Sequence, residues 1–171
     1  MHLADFIRYA VAIALSGVLA WAAISDIRWR RIPNRVVLSI LVLFVPWTLA
    51  SGGIELASAL VAGVVAFAVG YGLYAFKVMG AGDAKLFASL ALFAGLAHLT
   101  TFALATVWTG GVLAIGALVA RPRRALAMLS LRGQGDHGRG IPYGVAIGVG
   151  GAVVLWGYLT GLLPLHGGAL G

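Results

Sequence analysis

Long apolar stretches separated by short polar joints run through this chain from end to end. Six can be traced, at roughly Phe6–Ser25, Val36–Gly52, Leu56–Phe76, Leu86–Ala97, Thr101–Ala120 and Ile141–Leu163. Most approach the ~20 residues that a helix needs to cross a bilayer. The apolar run over 84–120 would be about 55 Å long as one helix, too long for a single span. His98, Thr100 and Thr101 are the polar positions inside it, and the break is expected there. The first stretch reads as an uncleaved span and not as a signal peptide, because it carries Asp5 and Arg8 at its start and has no clear cleavage site. The pattern therefore predicts an all-α, polytopic transmembrane helix bundle of about six spans, with residues 1–171 forming a single domain.

Composition strengthens the membrane reading. Hydrophobic residues make up 61 % of the chain and charged residues 10 %, where a soluble domain carries about 25 % charged residues. Mean hydropathy is +1.02. The absence of cysteine excludes disulfides, thiol nucleophiles and thiolate metal sites.

The net charge of +7 suggests nucleic acid until the basic residues are located. Arg28, Arg30, Arg31 and Arg35 fall in the first joint and Lys77 and Lys85 in the third. Arg121, Arg123, Arg124, Arg132 and Arg139 fall in the fifth. Eleven of the twelve basic residues thus lie on one side of a six-span protein. The positive-inside rule makes that side cytoplasmic and puts both termini outside. The charge is a topology signal and an attraction for anionic lipid heads, and no nucleic acid is needed to explain it.

Asp26 and Asp83 then stand out among only five acidic residues. Both lie at the edges of apolar stretches on the cytoplasmic side. An ionised carboxylate at mid-bilayer costs about 2.5–3.5 kcal/mol, so two beside spans call for a reason. The fourth stretch is short, which recesses Asp83 below the cytoplasmic surface. Taken singly, each aspartate has an ordinary explanation. Asp83 can cap the helix that follows it, Asp26 can neutralise the neighbouring arginines, and Pro33-Asn34 can simply open the second helix. Taken together, on one face, they suggest a paired-carboxylate site.

Other constellations are poor. His2, His98, His137 and His166 read as solvated or interfacial positions, and none has helical metal-ligand spacing with another. Trp21, Trp29, Trp47, Trp108 and Trp156 suit interfacial belts. Gly144/Gly148 and Gly157/Gly161 are small-residue pairs that let helices pack closely within one protein. No serine nucleophile motif is present. A small proton- or cation-coupled transporter using the same aspartates is the main competing class. Both acids lie at one face and no inverted repeat is visible, which weighs against it.

Gly80-Ala-Gly82-Asp83-Ala-Lys85 resembles the GxGDxK signature of the prepilin peptidases, the GxGD-type intramembrane aspartyl proteases. Asp26 followed by Ile32-Pro33-Asn34 resembles that family's other motif. Ile141-Pro142-Tyr143-Gly144 resembles a third, weaker one. Larger members carry a CxxC-bearing region associated with N-methylation, for which this chain has neither cysteine nor room. The chain thus resembles the small, peptidase-only type found with Tad/Flp pilus systems, or its archaeal preflagellin-peptidase relatives.

The resemblance implies an inner-membrane endopeptidase with Asp26 and Asp83 as catalytic residues and no cofactor or metal. Gly80, Gly82, Lys85, Ile32, Pro33, Asn34, Pro142, Tyr143 and Gly144 would shape the site. The implied partner is a prepilin, a basic leader followed by a hydrophobic helix, cleaved at the cytoplasmic face. One carboxylate would activate water and the other would protonate the scissile carbonyl, the two sharing one proton. Asp83 precedes a helix and Asp26 follows one, so helix dipoles alone favour Asp83 as the ionised base and Asp26 as the acid.

Overall fold

The computed structural model describes residues 3–29, 31–51, 56–120 and 143–164. These form five helices and, among the described residues, no strands. In order they are α1 (Leu3–Trp29), α2 (Asn34–Ala50), α3 (Leu56–Ala75), α4 (Ala81–Ala120) and α5 (Tyr143–Leu159). In a hydrocarbon medium a helix satisfies its own backbone polar groups, which is why apolar runs of this length fold this way. Helices over Leu3–Trp29, Leu56–Ala75 and Ala81–Val119 are long and apolar enough to cross a membrane; α2 and α5 are shorter apolar helices.

The expected break in the long fourth run exists, but at Gly95 and not at His98–Thr101. Gly95 takes φ 60° and ψ −179°, a backbone conformation that a side chain disfavours. The chain reverses there. Phe87 and Phe102 stack with ring centroids 4.7 Å apart, whereas along one straight helix they would be separated by about 22 Å. Residues 81–94 form a first arm of roughly 14 residues, about 21 Å long, so the shortness expected of this segment is real.

A reversal inside an apolar bundle frees backbone groups that must find partners. Here the Leu96 N–H donates to the Ser58 hydroxyl at 3.0 Å, and the Ala94 carbonyl accepts from the Tyr158 hydroxyl at 2.9 Å.

The first arm of α4 is the centre of the bundle. Leu86, Leu90, Ala91 and Ala94 are buried in it. It meets α2 through Phe93 against Phe44 and Trp47, and α5 through Leu90 in the space left by Gly151. α3 lies along it where Gly70 leaves room for Ala84. α1 packs against α2 and α5. Arg8 closes the α1–α2 pair at the far end. Its guanidinium donates twice to the Ala50 carbonyl, at 3.1 and 2.9 Å, satisfying a carbonyl at the end of α2.

Two expectations about individual residues are corrected. Trp47 is 2 % exposed and packs on Phe93 and Tyr158, so it belongs to the core and not to an interfacial belt. His98 is helical and 8 % exposed, with Nε2 2.9 Å from the Pro164 carbonyl and its ring edge-on to Tyr158. The two glycine pairs of α5 also differ from each other. Gly144 and Gly148 face α1 residues, whereas Gly157 gives room to Leu163 in the turn after α5.

Candidate active site

Asp26 continues the buried stripe of α1. Leu15, Leu19, Ala22 and Ser25 recur at helical spacing, and Asp26 follows on the same face, 6 % exposed. Two contacts hold this end of the helix. The Ser25 hydroxyl donates to the Arg31 carbonyl at 2.7 Å, folding the following turn back onto α1. The Asp26 Oδ2 accepts the Gly144 N–H at 2.8 Å in a buried hydrogen bond. Gly144 stands in the first turn of α5, where N–H groups have no partner inside the helix and point outward. A Cβ on Gly144 would sit 2.8 Å from that same oxygen and 3.1 Å from the Asp26 Cγ. Only glycine lets the α5 backbone come this close.

Asp83 lies in the first turn of α4, which begins at Ala81. The Gly80 carbonyl accepts the Ala84 N–H at 3.1 Å. The Asp83 carboxylate folds back over Gly80, where a Cβ would be 3.0 Å from Oδ2. Asp83 is half-buried, so Asp26 is the deeper of the two. Each aspartate therefore stands at a helix N-terminus, Asp83 at its own and Asp26 at that of α5. Helix position thus does not distinguish base from acid, because Asp26 stands near the end of α1 yet is held at the start of α5.

The Ile32-Pro33-Asn34 turn sits between the two motifs. Ile32 Cβ lies 3.2 Å from where a Gly82 Cβ would be, and Ile32 Cδ1 lies 3.0 Å from where a Gly144 Cβ would be. Gly82 precedes Asp83, and the Gly144 N–H holds Asp26, so one isoleucine touches both aspartate motifs. Pro33, with φ −64° and ψ 142°, delivers the chain extended into α2 without a side-chain cap. Asn34 does not cap its own helix. Its Oδ1 accepts from Lys85 Nζ at 3.4 Å, tying the start of α2 to the start of α4.

Of the sequence-derived candidates, Asp26, Ile32, Pro33, Asn34, Gly80, Gly82, Asp83, Lys85 and Gly144 come together at one end of the bundle. Tyr143 borders them and packs towards Gly110 of α4's second arm. Pro142 and the arginines between 121 and 139 lie outside the described residues. Among the described residues, no three histidine or carboxylate groups converge on a metal position.

Ser25 and Gly70 belong to this end and were not singled out from the sequence. Ser25 beside a buried aspartate is a weak signal, because its partner is a backbone carbonyl. Gly70 is legible only once Ala84 is known to face it.

The fold and this site define an all-helical, membrane-embedded protein that gathers two carboxylates and their flanking motifs at one end of its bundle. The model of the type IV leader peptidase family matches residues 13–115, which include Asp26, Ile32-Pro33-Asn34 and Gly80–Lys85. The chain belongs to that family and is a peptidase. No curated protein and no solved structure matches it.

Proposed function

We propose that this protein is a prepilin peptidase of the small type associated with Tad/Flp pili, without a methyltransferase region, and that Asp26 and Asp83 are its catalytic dyad. Family membership supports the activity class. The observation that carries the residue assignment is Ile32, lodged between the glycine beside Asp83 and the glycine whose N–H binds Asp26.

In this reading the chain is one peptidase domain of six spans in the inner membrane, the two arms of α4 counting as two. The asymmetric arginines and lysines support a cytoplasmic site with both termini outside. The substrate is a prepilin whose hydrophobic helix lies in the bilayer while its leader reaches the site, and anionic lipids border the basic face.

Two close carboxylates share one proton. One takes a proton from water as the oxygen attacks the scissile carbonyl; the other donates to the carbonyl oxygen and then assists the leaving amine. The Gly144 N–H donated to Asp26 Oδ2 favours the proton on Oδ1 when Asp26 is the protonated partner, and the α5 amide orients the carboxyl.

Cleavage of a Flp-type prepilin by Asp26→Asn and Asp83→Asn enzymes in native-like membranes tests the reading. Each substitution should lower kcat by about a thousandfold or more while the protein remains folded. Cleavage that survives either change excludes the dyad.

A further inference from the structure

The Ile32-Pro33-Asn34 turn is fastened on both sides. On the α1 side, the Ser25 hydroxyl holds the Arg31 carbonyl at 2.7 Å. On the α4 side, Lys85 reaches Asn34 Oδ1 at 3.4 Å. Between these ties the Pro33 ring fixes φ, and the Pro33 carbonyl accepts the Val36 N–H at 3.0 Å to open α2. Ile32 is thus a rigidly mounted side chain, and a β-branched one with little rotamer freedom.

Its two ends face two different carriers. The Cβ side lies against the Gly82 backbone, one residue before Asp83. The Cδ1 end lies against Gly144, whose N–H fixes the Asp26 Oδ2. Both receiving positions are glycines, and at each a methyl group would meet Ile32 at 3.0–3.2 Å. That is tighter than ordinary van der Waals contact, so neither glycine could carry a side chain unless Ile32 gave way, and both backbones pass close to it because they are bare.

We propose that Ile32 is a positioning residue, a steric spacer whose width sets the separation between the Asp26 and Asp83 carboxyl groups. It touches no reacting atom. Its contact with Gly82 sets the start of α4, and its contact with Gly144 sets the start of α5 and, through the amide, Asp26. Shortening the side chain lets one carrier settle towards the other and changes the distance across which the two carboxyls work. The proposal rests on the dyad reading for its functional consequence, but the distance itself can be read without activity.

The full chain contains no cysteine, so an Ile27→Cys/Ala81→Cys protein, with exposed labels beside the two motifs and both aspartates and the Gly144 amide bond kept, gives a clean molecular ruler. Membranes carrying it are treated with bifunctional methanethiosulfonate reagents of graded length, and the intramolecular product is scored at each length. Adding Ile32→Ala should move the reagent length of greatest yield. Adding Leu60→Ala, at an exposed position on α3, should leave it unchanged. An identical length profile with and without Ile32→Ala overturns the spacer.

A milder arm uses Ile32→Val in the otherwise native chain, which keeps the Cβ against Gly82 and removes the Cδ1 that reaches Gly144. The kcat for prepilin should fall about tenfold or more, since sub-ångström to ångström misplacement of catalytic groups has effects of this size. KM should stay within about twofold, because substrate binding is not what the spacer controls. Unchanged kcat, or a loss expressed in KM alone, also overturns the spacer. Should Asp26→Asn and Asp83→Asn leave cleavage intact while the ruler still responds to Ile32→Ala, the dyad reading fails and the spacer geometry stands.

Discussion

The two ends of the bundle solve the same problem with opposite results. At the Gly95 end, buried and half-buried polar side chains attend to the backbone. Arg8 serves the end of α2, Ser58 and Tyr158 serve the groups freed by the reversal, and His98 meets the Pro164 carbonyl. At the aspartate end Ser25 serves the Arg31 carbonyl in the same way, but there a backbone amide also attends to a side chain, Gly144 N–H to Asp26. What sets the aspartate end apart is a carboxylate that the main chain serves.

The sharpest way to break this contrast is Gly144→Ala. Its methyl group would fall 2.8 Å from Asp26 Oδ2, displacing the carboxylate and weakening the amide bond. Prepilin cleavage should drop about a hundredfold or more, measured at equal amounts of folded protein. At the opposite end, Tyr158→Phe should cost about 1–3 kcal/mol of stability by orphaning the Ala94 carbonyl. Its effect should appear in thermal unfolding in detergent, with kcat of the folded fraction unchanged. Ser58→Ala should follow the same pattern at about 1 kcal/mol. A substantial kcat loss from either far-end variant would erase the distinction between the two ends.

The smallest effect concerns Lys77, which takes φ 56° just after α3, a conformation that favours glycine. Lys77→Gly should raise stability by up to about 1 kcal/mol, read as a higher midpoint in the same unfolding assay.

Much of this was legible in the chain because membrane helices announce themselves by length and apolarity. The ends of α1, α2 and α3 fall within a few residues of the hydrophobic stretches. Both aspartate motifs are local in sequence, so the turn at Ile32-Pro33-Asn34 and the glycines around Asp83 were readable without coordinates. The position of the reversal was not. His98 and Thr101 look like a break because they are polar, yet His98 is satisfied by a carbonyl 66 residues away. Gly95 carries the turn because it lacks a side chain, a property that 25 glycines share in this sequence. Partner identity was equally hidden. Asn34 has the look of a cap and bonds Lys85 instead, and nothing near Asp26 predicts an amide from α5.

That last bond has a consequence for timing. Asp26 and Gly144 are 118 positions apart, and at about 5–20 residues per second a ribosome takes roughly 6–24 s to cover that interval. Both aspartates and the wedge between them leave the ribosome well before the amide that orients Asp26 exists. A nascent chain can therefore hold both aspartates and the turn between them while the bond that orients Asp26 is still missing.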